Sequence, residues 1–288
     1  MTQKNWQQLT LGLVQMVSAK SLDDNLAAAE QQIKACAQAG AELVMLPEMF
    51  AIFGGGDQLA AGQAEATKGG PLRGFLSSMA ARYSVYLVGG SIPCTGANPY
   101  TGAPELDEQR SRVYASCFVY DEQGLEVGRY DKVHLFDAQV NDAQGQYRES
   151  DTFAPGIKPQ CFSSPWGNIG LAICYDLRFP EYFRQLVDLG CELVLVPAAF
   201  TYTTGEAHWD LLLKARAVEN QCFLAGAAQG GDHSKRRSTW GHSCVIDPWG
   251  KTLASLKRGE GHLVCTLERQ RLLDVRQALP ALTNRRLN

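Results

Sequence analysis

The sequence lacks long apolar runs, paired cysteine motifs and a strong excess of either charge. No apolar run reaches the ~18 residues that a membrane-spanning helix needs, and the polar residues 1–8 do not form the apolar segment of a signal peptide. We therefore expect a cytoplasmic protein with no membrane partner. The 27 Lys and Arg residues against 30 Asp and Glu residues give a formal net charge of −3. This balance argues against a nucleic-acid partner and favours a small molecule or another protein.

The nine cysteines are an odd number, and no two of them form a C-x-x-C motif. Several lie inside apolar runs, where a free cysteine behaves as a small hydrophobic side chain. This distribution argues against a disulfide framework and against a zinc site. We expect no bound metal.

Apolar runs alternate with helical periodicity along the chain. The run 9–16 predicts a strand, and apolar residues within 22–36 recur at spacings of three and four, which indicates one face of a helix. Ser21 can cap this helix and Gly40 can end it. The alternation predicts an α/β protein whose strands are buried on both faces. Further predicted elements are a helix at 71–83, a strand at 86–92, a hairpin of 112–120 with 126–136, a strand at 167–174, a helix begun by Pro180 and ended by Gly190, a strand at 192–197, a helix at 208–219, and strands at 222–228, 244–247 and 263–267.

Residues 39–47 resemble residues 189–197, at an offset of 150 residues. Each copy passes from a helix through a glycine to a buried strand and a proline. Two explanations stay open. Any helix–glycine–strand unit can converge on this pattern, or the fold is built from two similar α/β halves.

Cys174 is the first candidate for a reactive residue. It ends the apolar run 168–174, and the next residues include Asp176, Arg178 and Glu181. A residue at the carboxyl end of a buried strand projects into the crevice where α/β sheets bind ligands, and backbone N–H groups of such a turn can hold an oxyanion. The alternative is an inert core cysteine, which is common in folded proteins.

A thiol nucleophile needs a base, and none of the five histidines lies in a motif that pairs it with Cys174. Glu48 directly follows the buried run 43–47. A carboxylate in that position is costly unless it is paired or functional. Taken alone, Glu48 is also explained as an exposed loop acid.

Lys132 is the third candidate, because it alternates with Tyr130 and His134 along the predicted strand 126–136. An inward-facing lysine there would lower the pKa of a neighbouring thiol and stabilise an oxyanion. A solvated strand lysine is the alternative explanation.

Together these residues lie in three motifs that resemble the catalytic motifs of the nitrilase superfamily of carbon–nitrogen hydrolases. The motifs are Leu-Pro-Glu at 46–48, Tyr-Asp-Lys-Val-His-Leu-Phe at 130–136 and Ile-Cys-Tyr-Asp-Leu-Arg-Phe-Pro-Glu at 173–181. The spacings of 84 and 42 residues between Glu, Lys and Cys also agree with that family. The resemblance covers almost the whole chain. It implies a single carbon–nitrogen hydrolase domain over residues 1–288, folded as a four-layer α-β-β-α sandwich.

The resemblance also implies a set of site residues beyond Cys174. Segment 147–156 resembles the family segment with a second active-site glutamate, which corresponds to Glu149 and is expected to position substrate and assist proton transfer. The backbone N–H of Tyr175 is expected to bind the oxyanion. Phe200 and Thr201 are expected to contribute to substrate binding.

The implied reaction is acyl transfer through a cysteine thioester. Glu48 accepts the proton of Cys174, and Lys132 stabilises the oxyanion; Glu48 then protonates the leaving ammonia and activates the water that hydrolyses the thioester. This chemistry requires no metal and no organic cofactor. Family members commonly pair through a helical face, so the resemblance implies a homodimer or a higher homo-oligomer.

The residues after Cys174 resemble those of small amidases rather than those of nitrilases, which have a tryptophan after the nucleophile. One amidase branch acts on alpha-ketoglutaramate and another, a repair branch, on deaminated glutathione. Segment 227–242 resembles the second. Its cluster Lys235-Arg236-Arg237 could supply a cation for the distal glycine carboxylate of that substrate, although a solvated loop explains the cluster too. Hydrolysis of N-carbamoyl amino acids or of other small aliphatic amides stays a further alternative.

Overall fold

The computed structural model describes residues 6–53, 57–66, 69–106 and 112–287. Within these residues, the first of two large mixed β-sheets has seven strands. They are β1 (Gln8–Gln15), β2 (Leu43–Met45), β3 (Tyr86–Val88), β4 (Ile92–Cys94), β5 (Tyr114–Tyr120), β6 (Glu126–Asp131) and β15 (Gly261–Glu268). Their order is β15-β1-β2-β3-β5-β4, with β6 paired to β5, and β1, β2 and β3 run parallel.

The second sheet has six strands and a similar parallel centre. They are β9 (Gln160–Ser164), β10 (Gly167–Leu171), β11 (Cys191–Ala198), β12 (Phe223–Ala228), β13 (Cys244–Ile246) and β14 (Thr252–Ser255). Their order is β14-β13-β12-β11-β10-β9, and β10, β11 and β12 run parallel. A separate antiparallel hairpin consists of β7 (Asp137–Gln139) and β8 (Gln146–Arg148).

Five helices lie between strands and a sixth follows β15, within the described residues. They are α1 (Leu22–Gln38), α2 (Gln58–Ala64), α3 (Pro71–Tyr83), α4 (Pro180–Asp188), α5 (Tyr202–Asn220) and α6 (Arg269–Ala278). The predicted ends of α1 and α4 are confirmed: the Ser21 side chain accepts from the Asp24 N–H, and Gly40 and Gly190 follow in the left-handed conformation. In the described part of the chain, no helix has both the length and the apolar character to cross a membrane.

Alternation of side chains between the faces of each sheet produces the layers. Leu43 and Met45 belong to an apolar core shared with the second sheet, whereas Val44 belongs to the core beneath α1 and α3. Leu186 of α4 and Trp209 of α5 join the shared core from the outer side of the second sheet. The arrangement confirms the predicted four-layer α-β-β-α fold.

Glycine divides one predicted strand into two. The predicted strand 86–92 covers β3 and only the first residue of β4; the two strands pair one after the other with β5, and Gly90 between them has a φ of 58°. A Cβ at Gly90 would lie 2.0 Å from the carbonyl oxygen of Pro47. The close approach fixes the chain just before Glu48. The sequence analysis did not predict α2, α6, β9, β14 or the β7–β8 hairpin.

Both halves of the fold place three parallel strands around two main helices. The order β1-α1-β2-α3-β3 matches β10-α4-β11-α5-β12 in strand direction. The similar segments 39–47 and 189–197 occupy the same place in each half, at the passage from α1 to β2 and from α4 to β11. This topology favours the explanation that the sequence similarity reflects two related halves.

Candidate active site

Cys174 does not end a strand as predicted but begins a turn. Strand β10 ends at Leu171, and a short 3₁₀ helix spans Cys174–Arg178. Cys174 has a φ of 46°, in the left-handed region that a residue with a side chain seldom adopts. Its side chain is 8% exposed. Backbone strain of this kind is concentrated at functional sites, where the surrounding structure holds the residue in place.

Glu48 lies just beyond β2 and is almost fully buried. The next residue, Met49, has a φ of 54° and donates its N–H to Ser91 Oγ at 2.9 Å. The buried Gln229 side chain donates to the carbonyl oxygen of Glu48 at 3.1 Å and to Ser18 Oγ at 2.8 Å. Two hydrogen bonds, from the Met49 N–H to Ser91 and from Gln229 to the Glu48 carbonyl, therefore hold the backbone that carries the Glu48 carboxylate.

Lys132 joins two buried carboxylates. Its Nζ lies 2.8 Å from Glu48 Oε1, and 2.9 and 2.8 Å from the two carboxylate oxygens of Glu149. The predicted strand 126–136 ends early, because β6 stops at Asp131 and Lys132 follows it. The Lys132 N–H still donates to Ala115 O at 3.0 Å, which keeps its side chain directed inward.

Glu149 begins a short 3₁₀ helix, Glu149–Asp151, after the β7–β8 hairpin. Besides Lys132, its Oε2 accepts the Phe136 N–H at 2.6 Å. Glu149 therefore contacts the same ammonium group as Glu48, although the two glutamates follow different strands, β8 and β2.

Burial and local charge set the protonation of this cluster. Burial raises the pKa of the Cys174 thiol well above its usual value and the Glu48 charge raises it further, whereas Lys132 and a hydrogen bond from the Ala199 backbone lower it. Burial also raises the pKa of Glu149, against the attraction of Lys132. Burial lowers the pKa of Lys132, but attraction to the two glutamates outweighs it and leaves that pKa well above the usual range. The resting cysteine is therefore a thiol beside a carboxylate and an ammonium.

These side chains line one end of a cavity of about 580 Å³, within the range of small-molecule sites. Cys174, Glu48, Lys132 and Glu149 all contribute to its wall, and Ala199 lies beside them. Aromatic and cationic side chains also line this cavity, namely Lys20, Phe53, Tyr147, Arg148, His233 and Arg237. Lys20 and Arg148 are exposed, whereas Phe53 and Tyr147 are buried.

The structure separates Arg236 from Arg237. Arg237 is half-buried and lines the cavity, with its guanidinium carbon 4.6 Å from the ring centre of Tyr147 and 5.5 Å from that of Phe53. Arg236 and Lys235 are exposed and do not line it. Of the two arginines expected to bind the distal carboxylate, Arg237 therefore lines the cavity and Arg236 does not.

The other expected binding residues also differ in place. Tyr175 is half-buried in the first turn of the 3₁₀ helix, where backbone N–H groups have no partner within the helix. Phe200 packs on Trp209 with ring centres 5.1 Å apart, and Thr201 caps α5 by accepting the Thr204 N–H. Neither Phe200 nor Thr201 lines the cavity.

The sequence did not single out Asp176, which was noted only as one of the charged residues after Cys174. Asp176 is fully buried, whereas Glu181 from the same segment is exposed. A fully buried aspartate two residues from a thiol is unusual. In the sequence, the apolar neighbours Ile173 and Leu177 indicate that Asp176 is buried. Among the described residues, no cluster of three or more His, Cys, Asp or Glu side chains could hold a metal ion.

Comparison with known proteins places this geometry in a family. The carbon-nitrogen hydrolase family model matches residues 10–277. The chain is 40% identical over 276 residues to the deaminated glutathione amidase of Yersinia enterocolitica, covering 96% of this chain and 92% of that protein. It is 36% identical over 277 residues to the omega-amidase NIT2 of Danio rerio, covering 96% and 94%.

Solved structures agree. Nit3 of Saccharomyces cerevisiae, a member of branch 10 of the nitrilase superfamily, superposes with a TM-score of 0.83 at 31% identity, covering 98% of this chain and 97% of that one. A mutant of a Nesterenkonia amidase, with the acetamide moiety of fluoroacetamide on its active-site cysteine, gives a TM-score of 0.76 at 26% identity and covers 99% and 100%. The chain therefore belongs to the carbon–nitrogen hydrolase family of the nitrilase superfamily and is a hydrolase that acts on amides.

Proposed function

We propose that the protein hydrolyses deaminated glutathione through a thioester on Cys174. The observation that carries this proposal is the buried cluster of Glu48, Lys132 and Glu149 beside Cys174, at one end of a cavity that has Arg237 on its wall. A nucleophile, a base and a fixed cation are the parts that acyl transfer needs.

The first half of the reaction forms the thioester. Because burial holds Cys174 as a thiol, its sulfur attacks the amide carbonyl as Glu48 accepts the proton. Lys132 and the Tyr175 N–H stabilise the oxyanion. Glu48 then gives its proton to the leaving nitrogen, the carbon–nitrogen bond breaks, and the free amine departs; for deaminated glutathione this is the amine of cysteinylglycine.

The second half returns the enzyme to its resting state. Glu48 takes a proton from water as the water oxygen attacks the thioester carbonyl, and the carbon–sulfur bond breaks. Glu48 passes this proton to the departing Cys174 sulfur, and 2-oxoglutarate leaves. Glu149 shares the Lys132 ammonium with Glu48 throughout, and so holds the cation in place as the charge on Glu48 changes. The sequence consumes only an amide and water.

Arg237 supports the choice of the longer substrate. Deaminated glutathione has a glycine carboxylate far from the bond to be cut, whereas alpha-ketoglutaramate ends at its amide. The rings of Tyr147 and Phe53 flank the Arg237 guanidinium and restrict its motion. An ordered guanidinium loses less entropy when it binds a carboxylate, and such charge-assisted hydrogen bonds are strong.

Substitution of two adjacent arginines tests this assignment. We expect wild type to hydrolyse deaminated glutathione with a higher kcat/KM than alpha-ketoglutaramate. Arg237→Gln should lower kcat/KM for deaminated glutathione by about 10- to 150-fold, the equivalent of roughly 1.5–3 kcal/mol for a hydrogen bond to a charged group. It should leave alpha-ketoglutaramate hydrolysis unchanged. Arg236→Gln is the matched control and should change neither, because Arg236 is exposed and off the cavity wall.

The other outcomes are equally informative. A wild type that prefers alpha-ketoglutaramate would make the protein an omega-amidase, the activity named for the Danio rerio relative. If Arg237→Gln weakens both substrates equally, the guanidinium binds the 2-oxo acid end that they share, and the distal-carboxylate argument fails.

We further propose that the chain is a single domain and that it forms a homodimer or a higher homo-oligomer. We also propose that the protein lies in the cytoplasm and has no nucleic-acid or membrane partner. Exposed apolar side chains along α5 and its neighbourhood, including Leu211, Val218 and Trp249, support self-association. All nine cysteines are unpaired, which fits a reducing compartment. Light scattering coupled to size-exclusion chromatography measures the oligomeric state directly.

A further inference from the structure

Asp176 is a fully buried carboxylate that makes four hydrogen bonds. Its Oδ2 accepts from the Tyr130 hydroxyl at 2.7 Å and from the Ile173 N–H at 2.8 Å. Its Oδ1 accepts the His134 N–H at 3.1 Å and lies 2.7 Å from His134 Nδ1. These contacts occupy both oxygens, so this carboxylate is bound on every side.

The four contacts come from three residues, which lie in the two segments that carry the thiol and the cation. Ile173 directly precedes Cys174, whereas Tyr130 and His134 lie on either side of Lys132. The Tyr130 hydroxyl also accepts the Val133 N–H at 3.0 Å, so a hydrogen bond within this segment joins residues on either side of Lys132. Within this network, one carboxylate spans the turn of Cys174 and the segment of Lys132.

We propose that Asp176 is a positioning residue that fixes the Lys132 ammonium relative to the Cys174 sulfur. This inference rests on the proposed function, because it assigns Asp176 a part in the same reaction without contact to substrate. The relative placement of sulfur and cation matters because a displacement of about 1 Å at a reacting centre can lower the rate by about 100-fold.

Substitution of Asp176 by Asn tests the link with little change in volume. One carboxylate oxygen becomes an NH₂ group and then faces two hydrogen-bond donors, so one end of the link must open. Asp247→Asn is the matched control. Asp247 is equally buried and accepts the N–H groups of Trp249 and Lys251 and the Nε of Arg271, but it lies in the turn between β13 and β14.

Two measurements separate positioning from general destabilisation. The first is steady-state kinetics, in which Asp176→Asn should lower kcat by about 10- to 100-fold and change KM by less than about two-fold. The second is the pH dependence of iodoacetamide alkylation at Cys174, followed at the level of the Cys174 peptide. Displacement of Lys132 should move this alkylation profile to higher pH. Asp247→Asn should match wild type in both.

The direction of the alkylation shift is decisive. If Asp176 acted only through its negative charge, its removal would make thiolate formation easier and move the profile to lower pH. A shift to lower pH, or an unchanged profile and kcat in a folded variant, overturns the proposal. Should Asp176→Asn fail to fold, Tyr130→Phe decides by the same two readouts, because it removes one donor from the same carboxylate. Alkylation needs no amide substrate, so a protein that hydrolyses none of the amides overturns the proposed function and leaves this test intact.

Discussion

At the scale of single residues, the site depends on the balance of charge in a space that solvent hardly reaches. Glu48, Lys132 and Cys174 are at most 8% exposed, and the side chain of Glu149 is 9% exposed. Lys132 contacts both carboxyl groups, and its charge also lowers the pKa of the Cys174 thiol. Burial opposes the formation of a thiolate in this space, so attack by the sulfur is favoured when its proton passes to a neighbouring carboxylate at the same time.

Replacement of Cys174 by Ala should abolish hydrolysis and leave the protein folded. Alanine keeps the backbone geometry and removes only the sulfur, which contributes little packing. Turnover of deaminated glutathione and far-ultraviolet circular dichroism should be measured on the same preparation. More than a few per cent of wild-type turnover in a folded variant would show that another group is the nucleophile.

Replacement of Lys132 by Met keeps the volume and removes the cation. We expect turnover to fall by about 10²–10³, as for the loss of an oxyanion donor, and the pKa of the Cys174 thiol to rise, because Lys132 lowers it. Glu48 and Glu149 would also face each other without a cation, at a cost of roughly 3–5 kcal/mol in the free energy of unfolding.

Alkylation of the Lys132→Met variant must be followed peptide by peptide. Cys161 is half-buried, and a hydrogen bond with Cys191 lowers its pKa to about 7, so it is expected to react with iodoacetamide before Cys174 does. The Cys161 peptide is an internal reference, since its profile should be the same in wild type and variant. An unchanged Cys174 profile would place Lys132 too far from the sulfur to affect it.

A residue type that conflicts with its surroundings drew attention to candidate site residues in the sequence, and the family resemblance assigned their roles; where residue and surroundings agree, only the resemblance offered a candidate. A carboxylate after a buried strand singled out Glu48, and a thiol before a charged turn singled out Cys174. Phe200 and Thr201 are ordinary for the core and for a helix cap, so the sequence carries no information about whether they face a cavity. Arg236 and Arg237 are adjacent residues of the same type, and the course of the loop decides which of them faces the cavity. That course depends on tertiary contacts of Arg237 with Phe53 and Tyr147.

At the scale of elements, loops after parallel strands carry Glu48 and Cys174, and a glycine shapes the loop at Glu48. Substitution of Gly90 by Ala places a Cβ 2.0 Å from the Pro47 carbonyl oxygen, so the loop before Glu48 must move. We expect both a lower free energy of unfolding and a lower kcat. Gly40→Ala separates the causes, because Gly40 also has a positive φ but no atom within 4 Å of the added carbon.

The Gly40→Ala control should lose only about 1 kcal/mol of stability, from the left-handed backbone, and keep its kcat. Urea unfolding and initial rates on both variants measure the two effects. Equal losses of stability, with kcat unchanged in Gly90→Ala, would mean that the loop near Glu48 absorbs the extra carbon without consequence for the reaction.

Elements with strong periodicity or clear caps were predictable, and elements held by tertiary contacts were not. Helix α3 begins and ends as predicted at Pro71 and Tyr83, because proline and an apolar repeat define it locally. The hairpin β7–β8 has strands of three residues and polar sequence. Its Tyr147 ring lies against Arg237, from a distant part of the chain. Short polar strands of this kind have no local pattern that distinguishes them from a loop.

At the scale of the whole molecule, the site forms where the two halves meet. Glu48 follows β2 in the first half, and Cys174 and Ala199 follow β10 and β11 in the second. The carboxyl ends of parallel strands in both sheets therefore open onto one cavity, the position at which α/β sheets bind ligands. A bridge between Met16 and Gln229 joins the two sheets at this edge.

His233 adds a further connection between the halves, and it should make the stability of the whole chain depend on pH. Its Nδ1 lies 2.9 Å from the carbonyl oxygen of Ser18, just beyond β1, and its Nε2 lies 2.8 Å from Thr239 Oγ1 in the second half. Burial, together with the nearby cations Arg237 and Arg258, lowers the pKa of His233 to about 4, against Asp232 and the Ser18 hydrogen bond, which raise it.

The unfolded chain, in which His233 has a pKa near 6.5, binds a proton more readily than the folded chain. The contribution of His233 to the free energy of unfolding is therefore complete above pH 6.5. It falls as the pH drops towards 4, by roughly 3 kcal/mol at about 1.36 kcal/mol per pKa unit. His233→Asn retains a donor for the Ser18 carbonyl but cannot titrate, so its urea unfolding curves between pH 7 and 4 should lose correspondingly less stability than wild type. His208→Asn, at an exposed position, should follow the wild-type slope. Parallel slopes for wild type and His233→Asn would mean that the imidazole accepts a proton as easily in the folded protein as in the unfolded chain, and that the connection between the halves does not depend on its neutral form.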